Sequence, residues 1–207
     1  PPEPFTARSF TVESDQPLFR VFGTGSAAAP RSVTSFNSGL GAPSRFAFFH
    51  DEAGVVVPAL YAAQTENAAV CESLLHDIPL SGGALLPSDY EGRALGSFHT
   101  DRPLNLAELR GTGLRQLGVE ARDLTDTAPS AYGATVAWAQ AAHRSGFDGM
   151  AWTSATCNDA FAVVLFGDRV AEESLHATEV GGRSFLDPRH VDWLAQMCAP
   201  MRIKVLR

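Results

Sequence analysis

Arg20, Arg45, Tyr61, Glu72 and Ser154 are the residues whose types could do chemistry together. Two guanidinium groups can clamp a pyrophosphate bidentately, each fork matching a pair of phosphate oxygens. A carboxylate beside a sugar can stabilise the positive charge that develops as a glycosidic bond breaks, or bind the sugar hydroxyls. A tyrosine can stack on a ring or position a ribose, and a serine can hydrogen-bond a hydroxyl, a phosphate or an attacking group. Each residue alone also has a plainer reading. Glu72 reads as a solvated helix carboxylate, the arginines as partners in surface ion pairs, Tyr61 as a core residue with its hydroxyl satisfied, and Ser154 as a turn residue. No histidine stands at motif spacing from Ser154, so it is not read as a nucleophile. His50 and His76 flank the central stretch and Asn158 shares the serine's loop. Ordinary exposed histidines and an Asx turn account for them, and they stay outside the candidate set.

The elements that must hold these side chains follow from periodicity. Residues 46–49 and 55–61 are short aromatic and β-branched runs around a charged, glycine-ended segment, which predicts two strands joined by a turn. Thr65 predicts an N-cap for a helix over residues 66–76, with Glu66 at its positive end. On that helix Ala68, Val70, Cys71, Leu74 and Leu75 share one arc, and Glu72 falls at its border, where a carboxylate is half-buried and still faces a cleft. Upstream, residues 1–16 offer no periodic face and read as an arm. Residues 17–23 form a strand carrying Arg20, and the Gly-, Ser- and Ala-rich residues 23–41 a loop able to cover a site. Downstream, residues 78–92 read as loop and residues 94–100 as strand. Asn105 is expected to cap a helix carrying Leu106, Leu109, Leu114 and Leu117, weakened by Gly111 and Gly113. A helix over residues 132–145 stops at Gly146, and residues 149–153 and 160–167 form strands around SATCND. Asp187 and Pro188 open a last helix with Val191, Leu194 and Cys198, and IKVL is a closing strand.

At 207 residues and 45% hydrophobic content the chain suits one domain with a full core. Its net charge of −7 sets up a field that repels nucleic acid and anionic membranes. No apolar run approaches the roughly 20 residues of a membrane span. No signal-peptide pattern opens the chain, whose proline-rich start resembles a processed terminus. Lys204 is the sole lysine; this arginine bias suits phosphate binding, although a GC-rich genome explains it as well. Cys71, Cys157 and Cys198 make an odd number without metal spacing, which disfavours a disulfide framework or a zinc site and fits a reducing compartment. Cys71 and Cys198 are expected in the core. Strands and helices are mixed without regular alternation. Neither GxGxxG nor GxxxxGK[ST] follows a strand, and GxSxG and HExxH are absent, which removes the usual supports for nucleotide-fold, hydrolase-triad and zincin readings.

Taken in order, LFRVFG, SRF, ALYAAQTENAAVCES, DGMAWTS and FAVVLFGDR resemble the RES-domain family, named for Arg, Glu and Ser motifs, over residues 17–170. By this resemblance Arg20 matches the first arginine, Arg45 the arginine of a glycine-arginine-tryptophan motif, and Tyr61 the tyrosine of LYAA. Glu72 matches the helix glutamate, and Ser154 the serine after the turn at Asp148 and Gly149. Ser44 and Phe46 replace the usual neighbours of Arg45, and residues 48–54 lack the usual asparagine. The resemblance implies an α+β fold similar to ADP-ribosyltransferase toxins, with mixed sheets and flanking helices. It implies a catalytic domain over residues 17–170, an arm over 1–16 and an extension over 171–207 packed on the same domain. Many members are cytoplasmic toxins partnered by an Xre-type antitoxin, and they consume NAD by phosphorolysis or hydrolysis or transfer ADP-ribose to a protein. The implied roles are catalysis by Glu72, Arg45, Tyr61 and Ser154 and NAD binding by Arg20, Arg45, Tyr61 and Ser154. NAD is then a substrate, inorganic phosphate or water the acceptor, and no metal, nucleic acid or membrane is expected to take part. A domain that only binds a nucleotide or a partner is the non-enzymatic alternative.

Overall fold

Strands such as FAVVLF have no polar face, so they belong where a sheet is covered on both sides. The computed structural model describes the backbone of residues 1–207 and all side chains except those of residues 129 and 179–181. Eight strands, β1 (Ser9–Val12), β2 (Leu18–Gly23), β3 (Ala59–Ala63), β4 (Arg93–Thr100), β5 (Leu104–Leu109), β6 (Gly149–Thr153), β7 (Phe161–Phe166) and β8 (Leu175–Ser184), form one sheet in the order β1-β5-β6-β7-β3-β2-β4-β8. β5 and β6 run parallel and the other neighbours antiparallel. β7 lies at the centre and is buried along its length. Its Ala162, Val164 and Phe166 join a core with α1 (Glu66–Cys71), α2 (Tyr132–Arg144) and α3 (Pro188–Cys198), through Ala68, Val70, Ala139, Ala142, Val191 and Leu194. Its Phe161, Val163 and Leu165 face a second core with Val12, Leu18, Leu60 and Phe98. The strand period of two therefore puts Tyr61 and Trp152 on the helix side of the sheet.

The ladder is irregular at two joins: β4 and β8 shift register between Thr178 and Arg183, and β2 and β3 barely pair. β2 has six register pairs with β4, but it meets β3 through the single pair Phe19↔Ala63. The sheet opens there into a cleft. β6 and β7, by contrast, are tightly apposed: a Cβ on Gly149 would lie 2.1 Å from the Val164 carbonyl oxygen, so β6 can approach β7 only with glycine at that position.

The mixed α+β architecture is the one expected, and the edges of several elements differ. Residues 46–49 form no strand; Ser44↔Ala47 and His50↔Val56 are isolated bridges, and Phe46 and Phe49 are buried anchors of an irregular loop. Pro58 cannot donate to a ladder, and β3 begins only after it. The helix expected from Asn105 is instead β5 followed by a short helix, Thr112–Leu117. The Asn105 N–H donates to the Asp148 carboxylate at 2.8 Å, and β5 lies beside β6, so neighbours decide this segment against its leucine spacing. Residues 78–92 contain a strand, Gly83–Leu85, parallel to Ile203–Val205, and a helical turn, Pro87–Tyr90. Residues 23–41 contain a small hairpin, Gly25–Ser26 with Ala29–Pro30. Residues 1–16 contribute the edge strand β1, and β8 at the other edge lies within residues 171–207. Among the described residues no helix is long and apolar enough to cross a membrane.

Candidate active-site cleft

Thr65 caps α1, its Oγ1 accepting from the Ala68 N–H at 3.2 Å. The helix ends at Cys71, well short of the expected His76. The Ser73 hydroxyl donates to the Ala69 carbonyl, and the Ser73 N–H turns to Val70 at 3.2 Å, which tightens the chain into turns. Glu72 thus sits at the C-cap, half-buried at the border of the apolar face. Its Oε1 accepts from Ser154 Oγ at 2.6 Å, and Ser154 Oγ accepts from the Cys157 N–H at 3.1 Å. This relay orients the hydroxyl proton onto the carboxylate. Ser154 itself is fully buried, so the fold places it behind Glu72 and not on the cleft wall, and it reaches a ligand only through that carboxylate.

The cleft, about 220 Å³, is walled by Phe19 and Arg20 of β2, Tyr61 and Ala63 of β3, Glu72 and His76 after α1, and by Arg45, Tyr132 and Trp152. Arg45 is buried, with its guanidinium carbon 5.9 Å from the centre of the Tyr132 ring. Its carbonyl accepts from Thr135 on α2, which fixes the backbone, whereas its Nε is buried with no protein partner. Such an orphaned donor costs free energy unless a ligand or water fills the position. Trp152 Nε1 is a second buried donor without a protein partner. Arg20 also lines the cleft, but its Nη1 donates to the carbonyls of Val33 at 2.9 Å and Ser35 at 2.7 Å, so it anchors the loop after β2. Burial, helped by nearby Arg31, lowers its pKa to about 10, which still leaves a cation at neutral pH.

The Tyr61 hydroxyl accepts from the Phe46 N–H and from Ser44 Oγ, both at 3.0 Å. Its two lone pairs are taken, which leaves its proton as the one group it can offer. Burial pushes its pKa up to about 12, so it remains a neutral donor. Cys71 and Cys198 are buried, as expected from their apolar helix positions, and Cys157 is partly exposed. Burial raises all three thiols, Cys157 to about 12, which keeps them protonated and unreactive. Among the described residues no group of three or more His, Cys, Asp or Glu is placed to hold a metal ion.

The structure brings Arg20, Arg45, Tyr61 and Glu72 to one cleft, with Ser154 in support. His76, Tyr132 and Trp152 are wall residues that the candidate set lacked. The spacing of Glu72 and His76, four residues apart, was a usable signal for the first. Tyr132 and Trp152 lie far along the chain and carried none.

Comparison with known families matches the RES domain over residues 17–186. The chain belongs to the RES-domain family. The matched span takes in every strand of the sheet except β1, together with all the candidate residues. This RES domain is also similar in fold to a chain of the crystal structure of the M. tuberculosis MbcT-MbcA toxin-antitoxin complex, with a TM-score of 0.54 and 15% identity, over 82% of this chain and 84% of that one. No curated protein matches this RES domain in sequence.

Proposed function

We propose that this RES domain is the toxin of a toxin–antitoxin pair and that it cleaves NAD at the nicotinamide glycosidic bond, with inorganic phosphate or water as acceptor. The observation that carries this reading is the pairing of Glu72 with Ser154 at 2.6 Å on the wall of a cleft that also holds two arginines. Arg45, through its unpartnered Nε, and Arg20 face the pyrophosphate, where charge-assisted hydrogen bonds are strongest. Tyr61 donates its one free proton to a ribose or phosphate oxygen. Glu72, held rigid by Ser154, stands beside the ribose and stabilises the oxocarbenium-like charge as the bond to nicotinamide lengthens. Nicotinamide leaves as a neutral ring carrying the bond electrons, and the acceptor oxygen closes on the anomeric carbon. The fold similarity to a chain of a toxin-antitoxin complex supports the toxin role. An Xre-type antitoxin is the partner proposed, and the cytoplasm, where NAD is plentiful, the place of action.

The test is NAD incubated with the purified protein, with and without inorganic phosphate, followed by chromatography. Nicotinamide release that Glu72→Ala abolishes is the expected result, and the partner product, ADP-ribose or its 1″-phosphate, names the acceptor. Intact NAD under both conditions refutes the reading, unless labelled ADP-ribose appears as a mass shift on a target protein, which moves the same cleft to protein modification.

A further inference from the structure

Transfer to an acceptor that carries a proton needs a group to receive that proton, and the five candidate residues do not supply one. The titratable side chains on the cleft wall are Arg20, Arg45, Tyr61, Glu72, His76 and Tyr132. The arginines are cations, and Tyr61 has both lone pairs occupied. Glu72 faces the ribose in the proposed pose, with one oxygen held by Ser154 at 2.6 Å. His76 remains. Its Nδ1 lies 2.9 Å from Asp77 Oδ1, a contact in which Nδ1–H donates to the carboxylate, so that in the neutral ring Nε2 carries the lone pair. Nε2 is 3.5 Å from the Tyr132 hydroxyl, too long for a strong hydrogen bond, so it is free to engage an incoming oxygen. The backbone after α1 continues in turns, with the Leu74 and Leu75 N–H groups both on the Val70 carbonyl, which keeps Glu72 and His76 on the same cleft.

We infer that His76 is the general base for the acceptor, taking the proton of a water or hydroxyl as it attacks the ribose. This rests on the reading of the cleft as an NAD-cleaving site. In the step, the acceptor O–H bond breaks and its proton passes to Nε2. The oxygen forms the bond to C1′, and the C1′–N pair departs with neutral nicotinamide. The proton is then released to solvent. Phosphate dianion brings an oxygen that needs no deprotonation, so its attack bypasses His76. Asp77, whose side chain is 91% exposed, acts by orienting the ring more than by its charge.

The experiment measures nicotinamide release from NAD by the native protein, His76→Gln and His76→Ala, in phosphate-free buffer and in phosphate. Without phosphate, His76→Gln is expected to lower kcat about 10²-fold at unchanged KM for NAD, while the rate in phosphate stays close to native. Added imidazole is expected to restore part of the His76→Ala rate. Equal rates for native and His76→Gln without phosphate overturn the inference. So does a parallel loss in both buffers with raised KM and no imidazole rescue, which marks a packing role. Native turnover that occurs only with phosphate also overturns it, since no proton-bearing acceptor is then used. If the native protein releases no nicotinamide in either buffer, the reading of the cleft fails first and this inference falls with it.

Discussion

Two half-buried acidic residues, Asp148 just before β6 and Glu72 bonded to the serine just after it, are treated in opposite ways. Asp148 receives two hydrogen bonds from Arg102, at 2.9 and 2.8 Å, and a third from the Asn105 N–H at 2.8 Å. Burial pushes its carboxyl up, but these donors together bring it below the ordinary aspartate value. Every lone pair that matters is answered from within the fold. Glu72 meets one neutral hydroxyl at 2.6 Å, while the nearby Arg45 keeps a buried Nε without a partner. A closed charge pair is a fastener; a carboxylate and a guanidinium held in one cleft and kept from neutralising one another are equipment for a third party. In this chain the incomplete polar network, more than the buried one, marks the working site.

The largest effect is expected of Glu72→Gln. Nicotinamide release should fall about 10³-fold with the melting temperature nearly unchanged; a large loss of stability with modest loss of rate would make Glu72 a fastener too. Asp148→Asn should do the reverse, lowering unfolding free energy in urea by about 2–3 kcal/mol while the folded fraction keeps its rate. A carboxyl whose folded pKa is depressed contributes fully above its unfolded value and loses that contribution as acid protonates it, so native stability should decline below about pH 4, and less steeply in Asp148→Asn. Ser154→Ala should cost about tenfold in kcat at unchanged KM, because it frees Glu72 without touching the ligand. Arg45→Lys should raise KM for NAD by roughly tenfold, about 1.4 kcal/mol, since an ammonium point charge cannot reproduce the fork.

Much of the framework was legible because it is local. The Thr65 cap, the border position of Glu72, α2 stopping short of Gly146, β6, β7 and the Asp187 cap of α3 all follow from residues within a turn or two of one another. Some misses were local, such as the helix cut short at Cys71 by the Ser73 turn, but the largest was decided from a distance. LNLAEL has leucines that suit a helix face, and it becomes β5 because β6 and the Asp148 carboxylate take its backbone. The types of the site residues were readable, but their relation was not. Ser154 and Glu72 are 82 positions apart, and only folding shows that the serine's partner is the glutamate. Likewise Tyr132 is 56 positions from His76, and no periodicity links residues that meet across a cleft.

For inhibitor design, Tyr61 is a contact that works in one direction only. An amine or amide N–H placed over its oxygen would find both lone pairs already engaged by Phe46 and Ser44. A carbonyl, sulfonyl or phosphonate oxygen would accept the one proton Tyr61 has left to give. Because the phenol resists ionisation until about 12, that polarity holds across every ordinary assay buffer. A compound series that varies acceptor strength at this one position should therefore climb in potency, while donor-bearing isosteres of the same shape drop out.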